Sequence, residues 1–325
     1  MASLVIGASG HLGAHLAREL IADGEVVRVL VRPTSDLRGL AGLDVKVTHG
    51  DIRDPRSVGV AMQGCRNVYH LGAPTRVESG LFRTVVAGAR YVLEAACAAG
   101  VERVVYTSST VTVGYSPDPR HVLDETSNDL TPVSAYHVAK WHAEKLVFAF
   151  WAQTGFPVVV VNPSHIIGPL DYRGTSSTEP IRRCVTGGML VAFPGGVTLV
   201  HAQDVARGHI LAMHRGTPGQ RYILGGERVH VADYIRMAAE ACGRSSVCRS
   251  LPRWVMLAAG AGFSALSLFT RTNTPFSFTS ARYTVGRFAW YSSAKAEREL
   301  SYSWRPARVA VRETADWMLS VFGKR

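Results

Sequence analysis

Tyr136 and Lys140 stand four residues apart in Tyr136-His137-Val138-Ala139-Lys140, at the start of a helix-like stretch. That spacing sets both side chains on one face of a helix. A phenol is a poor acid and base near neutrality, its pKa being about 10. A neighbouring ammonium favours the phenolate and is expected to lower that value. Such a pair suits a reaction in which a proton meets a carbonyl oxygen while hydride reaches the carbon. Ser109, at the end of the strand-like Tyr106-Thr107-Ser108-Ser109-Thr110, is in position to hold that oxygen. Open parallel sheets bind ligands at the carboxyl ends of their strands. A second copy of the spacing, Tyr291 to Lys295, has no serine-bearing strand ahead of it. Its two serines read as caps before Ala294–Leu300, so this copy reads as structural.

The other chemistry-bearing segment is Gly7-Ala8-Ser9-Gly10-His11-Leu12-Gly13, between a short apolar strand and a helix. Glycine allows a tight turn and close backbone approach to a pyrophosphate, and the helix N-terminus offers free N–H groups to that anion. Strand, glycines and helix in that order predict a dinucleotide site. An acidic residue that would grip a ribose 2′-hydroxyl is expected at the end of the second strand, where Arg32 stands instead. A cation there suits the 2′-phosphate of NADP(H) and cannot accept a hydrogen bond from a hydroxyl. The plainer reading of Arg32 is a solvated turn residue. NADP(H) is therefore preferred, with NAD(H) possible. Ser35 and Arg38 are placed to assist, and Asp51 is either an adenine contact or a loop cap.

Alternating strands and helices must carry these groups. Strands are predicted at Leu4–Ile6, Val26–Val31, Val45–Thr48, Asn67–Leu71, Arg103–Thr107 and Pro157–Val161. Helices are predicted at His11–Ala22, Val58–Met62, Thr84–Ala99 and Ala135–Gln153; the first shows Leu12, Leu16 and Leu20 on one face. Near-continuous apolar strands alternating with helices indicate a parallel sheet covered on both faces. The predicted class is α/β, a Rossmann-type doubly wound parallel sheet with a smaller, interleaved C-terminal lobe. Residues 1–162 are expected to form the dinucleotide-binding domain, with later segments near 197–225 returning to it, and 163–325 mainly a substrate lobe. Further strands are expected near Thr198–Val200 and Arg221–Leu224, and helices over Val231–Cys242 and the apolar run Trp254–Thr270.

Composition narrows the classes. Of 325 residues, 47% are hydrophobic and 19% charged, which suits a packed enzyme and excludes a disordered chain. The net charge is +11, yet only five basic residues are Lys and the arginines are scattered, so no nucleic-acid partner is expected. Cys65, Cys97, Cys184, Cys242 and Cys248 are dispersed, odd in number and without CxxC spacing. That argues against a disulfide framework or metal site and for a reducing, cytoplasmic setting. With strand-like residues from Leu4 and no basic stretch before them, no signal peptide is expected. The uncharged run from Trp254 is short for a membrane span and holds glycines and serines, so a buried or pocket-lining helix is expected and a membrane-surface contact is the lesser reading.

Taken together, GASGHLG (7–13), GDIRD (50–54), HLGAP (70–74), YTSST (106–110), YHVAK (136–140), NPSHIIGP (162–169) and VHAQDVARGH (200–209) resemble the extended short-chain dehydrogenase/reductase superfamily. VLVRPTSD (29–36) and SSAKAEREL (292–300) resemble its dihydroflavonol-reductase and 3β-hydroxysteroid-dehydrogenase-like branch, which includes sugar-epimerase-like proteins. The resemblance implies that Gly7, Gly10 and Gly13 hold the pyrophosphate, with Ser9, His11 and Leu12 beside them. It implies that Arg32 and Ser35 hold the 2′-phosphate, that Asp51 and Ile52 flank the adenine, and that Leu71, Gly72 and Ala73 line the cofactor path. Tyr136 would be the acid/base, Lys140 would bind the nicotinamide ribose, Ser109 would orient the substrate, and Pro163 and Ser164 would sit by the nicotinamide. His201 and Asp204 look structural.

There are departures: His11 replaces a usual apolar residue, and Val85 stands where the family has an asparagine linked to a proton relay. The implied activity is an NADP(H)-dependent carbonyl reductase or alcohol dehydrogenase. Phe193, Trp254, Met256, Phe263, Leu266, Phe269, Phe276 and Phe278 suggest a hydrophobic substrate such as a steroid, terpenoid or aromatic ketone. The alternatives are an NAD-dependent sugar-nucleotide epimerase or dehydratase and a non-catalytic cofactor-binding protein. A homodimer is common among such relatives.

Overall fold

The structure is a computed structural model that describes residues 1–72, 80–128, 133–188, 190–244, 250–270 and 278–323, with the backbone alone at 267–270 and 280. Ala73, Cys248 and Phe276, and the side chain of Phe269, lie outside the described residues.

Eleven strands are β1 (Ala2–Ile6), β2 (Val27–Val31), β3 (Val45–His49), β4 (Cys65–His70), β5 (Arg103–Thr107), β6 (Val158–Pro163), β7 (His165–Ile167), β8 (Gly196–His201), β9 (Arg221–Leu224), β10 (Glu227–His230) and β11 (Phe288–Ala289). The helices are α1 (His11–Ala22), α2 (Pro55–Met62), α3 (Leu81–Ala98), α4 (Ala135–Thr154), α5 (Glu179–Thr186), α6 (Ala202–Arg215), α7 (Val231–Ala241), α8 (Arg253–Thr270), α9 (Phe278–Thr284), α10 (Ala294–Leu300) and α11 (Ala307–Phe322). The main sheet runs β3-β2-β1-β4-β5-β6-β9, parallel throughout. Strand order reverses between β1 and β4, and a crevice opens at such a switch point.

Alternation of side chains across the sheet builds two cores. Val5, Val29, Val105 and Val159 pack with Leu16 and Leu20 of α1 and Val205 and Met213 of α6. Leu4, Leu30, Val68, Val104 and Val158 pack the other way, against α2, α3 and α4 through Met62, Leu93 and Val147. This is the doubly wound arrangement expected from the apolar runs. Asp54 caps α2 by accepting from the Arg56 and Ser57 amides, which starts that helix earlier than its apolar residues suggest. Gly155, at φ +68°, stops α4.

The later segments divide differently from the expectation. Arg221–Leu224 does return to the main sheet, as β9 beside β6. Thr198–Val200 does not: it is the centre of β8, which carries β10 antiparallel on one side and β7 and β11 parallel on the other. The edge of β6 beyond β5 is taken by β9, so β8 is left to organise a second sheet. What returns to the main sheet between them is α6, through Val205, Ala206, Ile210 and Met213. Helices α5, α7 and α11 close the second sheet around Ile181, Ala238 and Val311. The thiols of Cys65, Cys97, Cys184 and Cys242 are free.

Candidate functional site

A cleft of about 760 Å³ lies over the carboxyl ends of β1, β2, β4, β5 and β6. Its floor at one end is the loop Gly7–Gly13. Gly7 has φ +92°, and a Cβ there would lie 2.9 Å from the Gly72 amide nitrogen. At Gly13 a Cβ would lie 2.2 Å from the Gly7 carbonyl oxygen, so the first turn of α1 closes onto the loop only without a side chain. Gly10 caps α1 with no side-chain hydrogen bond. The Gly10 amide closes the turn on the Gly7 carbonyl at 3.0 Å, and the first-turn amides of α1, which have no intrahelical acceptor, form an anion cradle at the cleft floor. The fit to a dinucleotide pyrophosphate is a property of the backbone itself. Ser9, Gly10, His11 and Leu12 all line the cleft.

The outer lip carries Arg32, exposed at the end of β2, and Ser35, whose hydroxyl accepts from the Arg32 amide at 3.2 Å. Arg38 is committed elsewhere: it pairs with Asp36 at 2.7 Å and lies over the Tyr172 ring. Asp51 is gripped by Arg53 at 2.7 Å, and that bond holds its carboxyl below the ordinary range. Ile52 turns inward against Gly72 and Gly88. Leu71, whose amide donates to the Ile6 carbonyl, and Gly72 continue the wall; Ala73 is outside the described residues. Sequence reasoning missed Arg173, which reaches back from the loop after β7 to donate to Ser9 Oγ at 3.3 Å. A contact across 164 positions leaves no local signal.

At the other end, Ser109, Tyr136 and Lys140 come together. Ser109 lies two residues beyond β5, where its hydroxyl accepts from the Val111 amide at 3.3 Å, and it stands near the Tyr136 phenol in the same cleft. Lys140 Nζ donates to the Thr107 carbonyl at 2.8 Å and lies 5.5 Å from the Tyr106 ring centroid. The expected drop in the Tyr136 pKa is not found. Burial pushes the phenol up to about 12, opposed by the nearby Ser109 hydroxyl. Lys140 is drawn toward the Thr107 carbonyl, and burial lowers it to about 8.

A buried network fixes this corner. Glu144, one turn beyond Lys140, accepts from Thr112 Oγ1 at 2.9 Å, from Asn162 Nδ2 at 2.8 Å and from Arg221 Nη1 at 2.8 Å. Asn162 also donates to the Ser109 carbonyl at 3.1 Å. The ion pair is thus hydrogen-bonded on both sides, the condition under which a buried charge is tolerated. Glu144 and Arg221 carried no motif signal, whereas Asn162 opens the NPSHIIGP segment.

The remaining walls are Pro163, Ser164, Tyr115, His137 and His165. His137 bridges Ser134 Oγ at 2.9 Å and Tyr115 OH at 3.1 Å. Burial lowers His165 to about 4, keeping it neutral. Val85 is buried among the apolar side chains of α3 and α4, so no polar group occupies that place. Of the apolar residues expected to line a substrate pocket, those described, Phe193, Trp254, Met256, Phe263, Leu266 and Phe278, do not line this cleft. Met256 and Phe193 pack in a small core with Ala281 and Val285, while Trp254, Phe263, Leu266 and Phe278 are exposed. Helix α8 turns Met256 to this small core, while Trp254, Phe263 and Leu266 are exposed on its other sides. The second Tyr-x-x-x-Lys copy lies outside the cleft, with Tyr291 OH on the Gly114 carbonyl at 2.8 Å and Lys295 on the Arg221 carbonyl at 3.1 Å. His201 caps α6 through Nδ1, and Asp204 binds Arg305 at 2.8 Å, both as structural parts.

Known proteins share this arrangement. Sterol demethylase protein B of Methylococcus capsulatus is 33% identical over 323 residues, 98% of each chain. A putative dihydroflavonol 4-reductase of Synechocystis is 34% identical over 262 residues, 78% of this chain and 76% of its own. The crystal structure of gox2253 superposes with a TM-score of 0.89 at 31% identity, covering 100% of this chain and 99% of that one. Residues 3–225 match the NAD dependent epimerase/dehydratase family. With the glycine cradle, the parallel sheet and reductase relatives along nearly its whole length, the chain belongs to that family and is an oxidoreductase of the extended short-chain dehydrogenase/reductase type.

Proposed function

We propose that this oxidoreductase is an NADP(H)-dependent carbonyl reductase, working in reverse as an alcohol dehydrogenase, on a hydrophobic ketone or alcohol. The observation that carries the reading is the meeting of Ser109, Tyr136 and Lys140 in the same cleft as the glycine cradle. A nicotinamide dinucleotide, when bound, supplies the hydride. The backbone of Gly7, Gly10 and Gly13 holds its pyrophosphate, with Ser9, His11, Leu12 and Arg173 around it. Arg32 and Ser35 take the 2′-phosphate, Asp51 and Ile52 the adenine side, and Leu71, Gly72, Pro163 and Ser164 the path to the nicotinamide. Lys140, anchored on the Thr107 carbonyl, offers its remaining protons to the ribose.

Tyr136 donates its proton to the carbonyl oxygen, and Ser109 holds that oxygen. A phenol at about 12 is fully protonated at neutral pH, which suits the acid needed for reduction. With Val85 apolar, α3 offers no polar side chain at that place, and reprotonation of Tyr136 would rest on Lys140 and solvent. The substrate class draws on the relative named for sterols, which matches along 98% of both chains. Residues 163–325 would supply most of the substrate walls, among them Ser164, His165 and Ile166.

Calorimetry with NADPH and NADH on wild type and Arg32→Ala tests the cofactor reading. NADPH is expected to bind more tightly, and the variant to lose roughly tenfold or more of that affinity, as befits one charge-assisted phosphate contact. NADH binding equal to or tighter than NADPH, and untouched by the variant, would remove the 2′-phosphate assignment and bring forward a tightly NAD-bound epimerase.

A further inference from the structure

We infer that the outer face of the α8–α9 hairpin is a docking surface for an anionic lipid bilayer. The helix α8 is anchored on its inner side by Met256, which packs with Ala281 and Val285. Ser264 Oγ accepts from the Phe278 amide at 2.9 Å, fastening α9 to it. Away from that core Trp254 is 72% exposed, Leu266 52%, Phe263 46% and Phe278 40%; Trp254 and Phe263 lie on opposite flanks of α8, with exposed Ala258, Ala259, Gly262 and Leu266 across the outer half between them. An exposed helix face on a soluble protein is normally polar. Here residues 254–270 hold no charge at all. Single exposed apolar side chains need no explanation, but an outer helix half that is apolar throughout and carries several large exposed side chains marks an interaction site.

The surrounding charge selects the occupant. From residue 241 to residue 296 the sequence holds no Asp or Glu, and the described basic residues of the hairpin and of the turn that follows it are Arg253, Arg282 and Arg287. Arg253 at the start of α8 and Arg282 on α9 are both exposed. Two copies of this chain placed face to face here would oppose like charges with no acid in the segment to pair them. A bilayer with anionic headgroups matches both features: the aromatic and aliphatic side chains enter the interface and the arginines meet phosphates. No described helix is long and apolar enough to cross a membrane, so α8 lies along the surface. The hairpin is also joined to the cleft. It runs into β11, where Phe288 exchanges two backbone hydrogen bonds with Ser116, the neighbour of Tyr115 in the cleft wall. A lipophilic substrate held in the bilayer would therefore meet the protein beside its proposed site.

Flotation of the full chain with vesicles of phosphatidylcholine, alone or mixed with phosphatidylglycerol, tests this. Binding is expected to the mixed vesicles, weaker to phosphatidylcholine alone, and reduced by salt. Trp254→Ser with Phe263→Ser should weaken it roughly tenfold or more. Arg253→Glu and Arg282→Glu should each cost roughly five-fold on the mixed vesicles only. Trp304→Ser, on an exposed tryptophan elsewhere, should change nothing. Absence of flotation with either vesicle, or flotation indifferent to the hairpin variants, would overturn the inference. So would a concentration-dependent dimer that Trp254→Ser dissolves while vesicles are ignored. NADPH binding measured on the same samples verifies the fold, and its failure in wild type would count against the proposed reductase, not against this surface.

Discussion

The chain contains the same four-residue spacing of tyrosine and lysine twice, and the two copies end in different chemistry. Tyr136 and Lys140 both lie within α4, where a spacing of four stacks them on one face toward the cleft. Tyr291 and Lys295 straddle the start of α10, so the spacing is not helical and the side chains part. Tyr291 OH is consumed by the Gly114 carbonyl, and Lys295 by Gln220 and the Arg221 carbonyl beside the Tyr222 ring. The phenol of Tyr136 instead meets a hydroxyl, Ser109, at the open end of a parallel strand. The residue types are equal; what differs is whether a strand end and a helix N-terminus converge on them. A proton donor is useful only where a substrate oxygen can reach it.

The largest effect that would sharpen this contrast is on turnover. Tyr136→Phe removes the proposed acid and keeps the ring, so reduction should fall by about 10²–10⁴-fold, the usual worth of a positioned acid. NADPH affinity should hardly move, since the phenol does not make the main cofactor contacts. Single-turnover rates with a lipophilic ketone, together with calorimetry, provide the two readouts. Unchanged turnover would leave the two tyrosines equivalent and break the comparison.

Acid separates the two regions next. His209 stands under the first pair: its Nδ1 lies 2.8 Å from the Val205 carbonyl, so that nitrogen is the donor, and Nε2 accepts from Thr107 Oγ1 at 2.8 Å. Thr107 in turn gives its carbonyl to Lys140. Burial lowers His209 from its ordinary 6.5 to about 4, and His15 and His70 to about 3. Between pH 6.5 and those values the unfolded chain binds the protons the folded chain refuses, so stability falls as pH falls. Each histidine contributes a slope of about 1.4 kcal/mol per pH unit in that window. Urea midpoints at pH 7 and pH 5.5 should show the loss, and His209→Asn, which keeps a partner for Thr107 without titrating, should lessen the slope. A midpoint indifferent to pH would mean that these rings are not held neutral.

How much of this could be read in advance follows from distance along the chain. The cradle, Arg32, Ser109, Tyr136 and Lys140 are local signals, because a strand, a turn and a helix start are each a few residues long. The parallel sheet was equally legible from its buried Val runs, such as Val158–Val161. Arg173, Glu144 and Arg221 were not legible, since each acts on a partner brought near only by the fold. The strand at Thr198–Val200 was found but given to the wrong sheet: period and composition identify a strand and say nothing about its neighbour. The apolar residues of α8 were read as pocket lining because periodicity cannot distinguish an inward face from an outward one when both are apolar. The Tyr136 pKa was misjudged for a related reason. Spacing put an ammonium nearby, while burial, which a sequence does not report, dominates the shift.

The smallest effect completes the contrast at the second pair. Tyr291→Phe removes a buried hydroxyl that donates to the Gly114 carbonyl. That carbonyl lies in the loop after β5 that also carries Tyr115, so the lost bond loosens the outside of the cleft wall, not its interior. An orphaned buried acceptor costs about 1–3 kcal/mol, and a ring of the same shape keeps the packing with Val113, Leu123 and Ile223. The variant should therefore melt a few degrees lower, with kcat and NADPH affinity at the wild-type values. A fall in kcat comparable to that of Tyr136→Phe would show the second pair acting on the reaction through Gly114 and Tyr115, and the structural assignment of Tyr291 would have to be abandoned. If the melting shift appears alone, the same motif has been shown to do two separable jobs in one chain, with convergence of strand end and helix start as the deciding variable.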